Sequence, residues 1–274
     1  MTILTRLQDI ERLFQVLNEL KVYDFLLASF GTFLGAYIAF RLSFETEKVR
    51  NDIEEDTNLI RAFQAATTIL SAALNFKKQV VLPKTAEIEA LTNQIETHLA
   101  KVPTESEIRL NVVQLLKMHP QISLYNTDIV ARLSCLTSLA GRPFQCAEEL
   151  RRSCMLLDIL IDSINKQIPE LMAIEDDEVR MHLMLGLMQG EEERTVDERF
   201  RHAHENLLAC TDDIIFFAKL IATDIECHQV DWRKRRGIKN RRRLSMIDDR
   251  SIAHLFPDSS KYITWQDLPI SPLY

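Results

Sequence analysis

The distribution of apolar and polar residues divides the chain into one continuous apolar segment and a long region of helical periodicity. The apolar segment covers residues 22–44, with no charged residue between Phe25 and Phe40. At about 1.5 Å per residue it would form a helix about 33 Å long, enough to cross a hydrocarbon core of about 30 Å. Both faces are apolar or small, whereas a soluble helix normally has one polar face. The pattern predicts a single transmembrane helix over 22–44; the alternative is a central helix of a large soluble bundle.

Small residues occur on two adjacent faces of this predicted span, at four-residue spacing. Helices in lipid associate where small side chains allow close backbone approach, whereas glycine inside a soluble helix costs about 1 kcal/mol relative to alanine. We therefore expect a homo-oligomer that packs through the span. The candidate packing residues are Ala28, Gly31, Thr32, Gly35, Ala36 and Ala39.

The flanks of the span indicate how it is used. Residues 1–21 carry apolar residues at helical spacing opposite a charged face, which predicts an amphipathic helix at the membrane interface or paired with another helix. No small-x-small cleavage site follows the span, so we expect an uncleaved anchor. Basic residues flank both ends equally, but the five cysteines lack disulfide-framework spacing. This cysteine usage favours a reducing compartment, and hence a single-pass membrane protein whose bulk is cytoplasmic.

Residues 45–230 show nearly continuous helical spacing, and sustained two-residue alternation is absent. Short connections between long helices predict an all-α protein, with an antiparallel helical bundle of six or seven helices after the span. The predicted helices run to about Val81 before Pro83, over 88–99, over 104–116, over 129–139 before Gly141, over 147–171 with Pro169 near its end, over 181–188, and over 200–230.

A basic segment lies in residues 231–250 of an otherwise acidic chain of net charge −7. Such a run attracts phosphate, so the first interpretation is contact with anionic lipid, and the next is binding of nucleic acid or a nucleotide. The alternative is a solubilising charged segment. The candidate phosphate-binding residues are Arg233, Lys234, Arg235, Arg236, Lys239, Arg241, Arg242 and Arg243.

Other polar patterns are weaker. Glu198, His202 and Glu205 share a helical face but lack a second matching helix, so they are interpreted as a solvated surface and no metal is predicted. Asp158 and Asp162 interrupt an apolar stripe one turn apart, without a recognisable catalytic partner. The methionines of 181–188 are interpreted chiefly as core filler. Residues 251–274, with three prolines and isolated aromatic residues, predict an extended tail that docks on the body or serves as a linear peptide.

Phosphate-binding glycine loops and the common hydrolase and metalloprotease motifs are absent, so we expect neither an enzyme nor a bound cofactor. The first hypothesis is a membrane-anchored helical protein that acts through protein–protein association, as a sensor, scaffold or regulator. The second is a self-associating effector, such as a toxin or defence component, that perturbs the bilayer. The third is a binder of phosphate ligands or nucleic acid through the basic segment.

Overall fold

The computed structural model describes residues 10–16, 22–101, 117–120, 129–185, 199–238, 244–245 and 249–272. Helices account for 87% of these residues, and the strands among them are two segments of three residues. The prediction of an all-α protein is therefore confirmed. The chain forms two compact units, Met1–Glu54 and Glu55–Tyr274.

The described residues of the first unit are helical, and their described side chains are, apart from the half-buried Asp52, exposed. It contains helix α1 (10–16) and the beginning of α2 (Val22–Phe76), which runs unbroken for 55 residues. The helix predicted over 22–44 is present, but it does not end at Phe44. From residue 24 to residue 51 every side chain is exposed. Of the amphipathic helix predicted over 1–21, residues 10–16 are helical and the others lie outside the described ranges.

The second unit begins with the remainder of α2 and contains all the other elements. In chain order these are a π-helical turn (Lys77–Val81), α3 (Leu82–Lys101), α4 (Ile129–Ser134), β1 (Leu139–Gly141), α5 (Arg142–Met172), α6 (Asp177–Leu185), α7 (Arg199–Arg236), two 3₁₀ turns (Asp249–Leu255 and Ser259–Tyr262), α8 (Ile263–Gln266) and β2 (Ile270–Pro272). Strands β1 and β2 pair antiparallel, with Ala140 opposite Ser271. The helix predicted over 104–116 lies outside the described residues.

Helices α5 and α7 provide the central packing of this unit. The stripe predicted on α5 is buried from Ala147 to Leu171, because these residues recur on one face of a helix. The exception is Leu160, which is half-buried, while Ile161 beside it is buried. The two helices are antiparallel: Arg142 at the start of α5 contacts Asp224 of α7, while the Cys210 thiol of α7 donates to the Ser153 carbonyl at 2.9 Å. Helix α7 extends to Arg236, beyond the predicted end at about Val230.

The proline at position 83 does not end the preceding helix, contrary to the prediction. The π-turn lies immediately before it, and the Leu82 amide donates to the Lys77 carbonyl five residues back. Proline lacks an amide donor and is tolerated in the first turn of a helix, where that donor is not needed. Because α3 begins at Leu82, directly after the π-turn, Pro83 occupies such a first-turn position.

The helix predicted over 129–139 is also corrected. It ends at Ser134, and Leu139 to Gly141 form β1 instead. Gly141 adopts a φ of 81°, a conformation that favours glycine, and it leads from β1 directly into α5. Gly141 and Pro143 therefore mark the beginning of the next helix rather than the end of the previous one. Pro169 lies inside the last turn of α5, which continues to Met172.

The C-terminal residues are folded, which corrects the prediction of an extended tail over 251–274. Residues 249–272 form the two 3₁₀ turns, α8 and β2, and they dock on the body. Leu255 and Tyr262 are buried, and the Tyr262 ring stacks on Phe216 of α7 with 3.9 Å between ring centroids. Of the two roles considered for this segment, the structure shows docking.

Candidate functional site

The apolar part of α2 exposes the largest hydrophobic surface among the described residues. Phe25 and Phe33 are each 72% exposed, and every large apolar side chain of residues 25–44 is solvent-accessible. The helix is long and apolar enough to cross a membrane, and none of its most apolar window is buried inside the fold. A core helix of a soluble bundle is typically mostly buried, and this window is not buried among the described residues.

The six predicted packing residues all lie on this exposed helix. A methyl group added to Gly31 or Gly35 would meet no atom within 4 Å, so the glycine faces are open. Thr32 satisfies its hydroxyl within the helix by donating to the Ala28 carbonyl at 2.8 Å. This intrahelical bond leaves no unsatisfied hydroxyl donor on the small-residue face, which suits an apolar environment.

A polar network, buried apart from the exposed Thr137, lies at the start of the second unit and joins α2, the α4–β1 loop and α7. We use "polar network" below for Glu55, Asp56, Thr137, Ser138, His228, Gln229 and Arg233. In it, the Glu55 carboxylate accepts from the Thr137 and Ser138 amides at 2.9–3.1 Å and from both hydroxyls at 3.0 and 2.5 Å. A single side chain thereby satisfies the backbone donors of the loop that precedes β1.

The same network contains a serine, a histidine and a glutamate, which are also the components of a hydrolytic triad. In a triad, the histidine accepts the serine proton and the acid orients the histidine. Here the Ser138 hydroxyl donates to Glu55 at 2.5 Å, while His228 Nε2 lies 2.9 Å from the same oxygen. His228 must therefore donate to the serine, so it cannot also be the general base. All three side chains are buried, and their hydrogen-bond pattern is not that of a catalytic triad.

The second half of the network is an ion pair between α2 and α7. Asp56 is completely buried and accepts from Arg233 at 2.7 and 3.0 Å and from Gln229 at 3.2 Å. Gln229 in turn accepts from the Leu244 amide at 3.3 Å. The two-point contact of a guanidinium with a carboxylate is among the stronger hydrogen-bonding arrangements in proteins. It fixes the last turn of α7 beside the first residues of the second unit.

This ion pair corrects one member of the predicted phosphate-binding set. Arg233 is 8% exposed and is committed to Asp56, so it is not part of an exposed basic surface. Lys234, Arg235 and Arg236 follow it at the end of α7 and are exposed. The other predicted members, Lys239, Arg241, Arg242 and Arg243, lie outside the described residues.

A second buried ion pair attaches the C-terminal segment. Lys77, in the π-turn, is buried, and its ammonium group donates to Asp212 of α7 at 2.5 Å and to the Leu255 carbonyl at 2.8 Å. The adjacent Asp213 accepts from the Tyr262 hydroxyl at 2.6 Å. Burial raises the pKa of Asp213, and the hydrogen bond from Tyr262 acts in the opposite direction. These contacts tie residues 249–272 to α7.

Two histidines form a buried pair that the sequence did not predict. His119 Nε2 lies 3.2 Å from His204 Nε2, and His204 Nδ1 lies 2.9 Å from the Phe200 carbonyl, to which it can only donate. His204 therefore offers an unprotonated Nε2, and His119 is the donor between the rings. Burial lowers the pKa of both histidines to about 4, with a further lowering of the His119 pKa by His204. Both are neutral at pH 7.

The predicted solvated surface near His202 is consistent with its geometry. His202 and Glu205 are exposed and lie 3.2 Å apart, while Glu198 falls outside the described residues. Within the described ranges, no group of three or more potential ligands is arranged to hold a metal. Burial, followed by repulsion from Asp162, raises the pKa of Asp158.

The remaining sequence candidates behave as core residues where they are described. Met184 is completely packed, and Met181 packs against the core, in agreement with their interpretation as filler. All five cysteines are free thiols; three of them, Cys146, Cys154 and Cys210, are buried, and burial raises the pKa of each to about 12. Such thiols are unreactive at neutral pH.

No family model, curated protein or solved structure matches this chain. Its function must therefore be argued from its own residues.

Proposed function

We propose that this protein is a single-span membrane protein whose helical body, an antiparallel bundle on the cytoplasmic side, acts through protein–protein association as a sensor, scaffold or regulator. The observation that supports the anchor is the complete exposure of the apolar part of α2. A contiguous apolar surface of this length is exceptional in water and is typical of a helix that contacts lipid or a partner.

The character of the body supports association rather than catalysis. The polar network is satisfied internally, since Glu55 accepts from the α4–β1 loop and Asp56 accepts from Arg233. Among the groups of polar side chains described above, none places a solvent-accessible nucleophile beside a general base. The free thiols, which carry no disulfide, support the cytoplasmic side for the body.

The anchor is tested by placing charge in the apolar part of α2. Two arginines at the centre, in Phe33→Arg/Leu34→Arg, should move the protein from the carbonate-resistant membrane pellet to the supernatant, because each central arginine costs about 2.5–3.5 kcal/mol on insertion. The matched control is Val49→Arg/Ile53→Arg, at exposed positions beyond the apolar run. A wild-type protein that is soluble without detergent would contradict the proposal.

A second candidate is a self-associating effector that perturbs the bilayer. The specific observation that favours it is the pair of open glycine faces at Gly31 and Gly35. Replacing both by leucine should abolish oligomers seen by crosslinking in membranes, and also any loss of membrane potential on overexpression. If the wild-type protein leaves the potential unchanged, the effector function is wrong and the association function is kept.

A further inference from the structure

The structure joins the basic segment to the predicted span by a much shorter path than the sequence suggests. Along the chain, Lys234 lies 190 residues after Phe44. The buried ion pair between Asp56 and Arg233 attaches the end of α7 to a residue only twelve positions after Phe44. Twelve residues reach about 40 Å even when fully extended, whatever conformation they adopt.

The exposed residues at this end of α7 carry a strong positive charge. Lys234, Arg235 and Arg236 are consecutive and exposed, and Arg233 next to them is buried and paired with Asp56. Within residues 229–236, all of which the structure describes, the one acidic residue is Asp231, which is exposed. In the sequence, four more basic residues follow between positions 239 and 243. The surface therefore attracts anionic groups such as phosphates.

We propose that Lys234, Arg235 and Arg236 bind the anionic lipid headgroups of the membrane that anchors the chain. This inference rests on the proposed anchor, because it is the short tether that selects lipid over nucleic acid. A tether of this length holds the basic residues at a high effective concentration near the bilayer surface, so that even weak individual contacts are populated. Attraction of basic residues to an anionic leaflet is additive and falls off within a Debye length.

The test compares the full chain in nanodiscs of phosphatidylcholine alone with discs that contain 30% phosphatidylserine. The readout is the rate of lysine acetylation by a neutral reagent, measured by mass spectrometry as the ratio of Lys234 to Lys166. Lys166 is an exposed lysine of α5 in the same molecule and serves as an internal control. We expect Lys234 to react at least fivefold more slowly in the anionic discs, and the protection to disappear in 0.5 M salt.

A charge-reversal variant makes the test independent of the acetylated residue. Arg235→Glu/Arg236→Glu should remove the protection of Lys234, whereas Lys78→Glu/Arg132→Glu, at exposed positions elsewhere and with the same change in charge, should retain it. An unchanged ratio in anionic discs would overturn the inference. Protection by an oligonucleotide added to neutral discs, without protection by phosphatidylserine, would assign the surface to nucleic acid and overturn it as well.

Failure of this inference is distinguishable from failure of the anchor. If the wild-type chain does not enter nanodiscs at all, the proposed membrane function falls. If it enters both kinds of disc and Lys234 reacts equally in both, the anchor stands and only the lipid contact is wrong.

Discussion

The two units of this chain distribute polarity in opposite ways. The first unit exposes its apolar residues, with Phe25, Phe30 and Phe33 all in contact with the surroundings. The second unit does the reverse in its core and even buries carboxylates such as Glu55 and Asp56, each with its charge compensated by several donors. A fold selected for water hides apolar surface and pays for buried charge with hydrogen bonds. The proposed membrane anchor would account for this difference, since the two units would then meet different solvents.

The largest expected effect is on the ion pair that closes the polar network. Arg233→Ala should lower the free energy of unfolding of the body by about 3–5 kcal/mol, because it leaves the Asp56 carboxylate buried without its main partner. The neighbouring Arg235→Ala, at an exposed position, should change it by less than about 0.5 kcal/mol. Denaturant unfolding of the detergent-solubilised protein measures both. Equal effects of the two substitutions would mean that Asp56 is solvated.

The same apolar truncation should have different consequences in the two units. Leu157→Ala removes a fully buried side chain of α5 and should destabilise the body by about 2–5 kcal/mol. Leu34→Ala, in the exposed part of α2, should leave the unfolding midpoint of the body unchanged within error. Thermal unfolding of the two variants in the same detergent makes the comparison. A large loss on Leu34→Ala would show that this segment packs against the body.

Acid should destabilise the body through its histidine pair. The pKa of His119 and of His204 lies near 4 in the fold, below the ordinary 6.5, so the unfolded chain binds protons that the fold excludes. Stability is therefore retained above pH 6.5 and falls as the pH decreases from 6.5 towards 4, by about 3 kcal/mol for one ring.

The control for this pH dependence is the double variant His119→Gln/His204→Gln, compared with wild type by unfolding at several pH values. The variant should lose stability less steeply over this range. Burial raises the pKa of Asp213 and of Asp224, so these two carboxyl groups change the free energy of unfolding with pH in the opposite direction to the histidines. Because both proteins contain the two carboxyl groups, the difference between their pH profiles reports the contribution of the histidines. Parallel pH profiles would indicate that the pair is accessible to water.

The smallest expected effect concerns the docked C-terminal segment. Tyr262→Phe removes the hydroxyl that donates to Asp213 while keeping the ring stacked on Phe216, and it should cost about 1 kcal/mol. We expect faster proteolytic cleavage within residues 249–272 and little change elsewhere. Ile263→Ala, at the adjacent exposed position, is the control. An unchanged cleavage rate for Tyr262→Phe would mean that stacking alone holds the segment.

What the sequence could predict follows from periodicity. The stripe of α5 and the helical identity of α2 and α7 were predictable, because burial of one helical face leaves a repeat in the chain. The burial of Glu55 and Asp56 could not be predicted, since no sequence feature of the charged run 45–56 distinguishes a buried carboxylate from a solvated one. Their burial depends on partners more than eighty residues away, such as Ser138 and Arg233, and no local pattern encodes that pairing.

The glycine and proline at a helix boundary were ambiguous, because the outcome again depended on a distant part of the chain. Gly141 and Pro143 end one helix or begin another with the same chemistry, and the pairing of β1 with β2 selects the second outcome. The span was predicted from composition alone, and the structure adds that its most apolar window is exposed among the described residues. The basic segment was visible in the sequence as a run of positive charge. That Arg233 is buried against Asp56, and so does not belong to the exposed basic surface, became known only from the structure.

The π-turn at Lys77–Val81 has a consequence for the angular phase of the helix that contains it. A π-turn accommodates one residue more than a regular α-helical ladder, so the direction of every later side chain is advanced by about 100°. Residues such as Leu70 and Ile88 therefore cannot be placed on a common face by counting in steps of 3.6 across this point. Removing one residue from the turn would restore a regular helix and, in the same step, rotate the surface that α3 presents to α7.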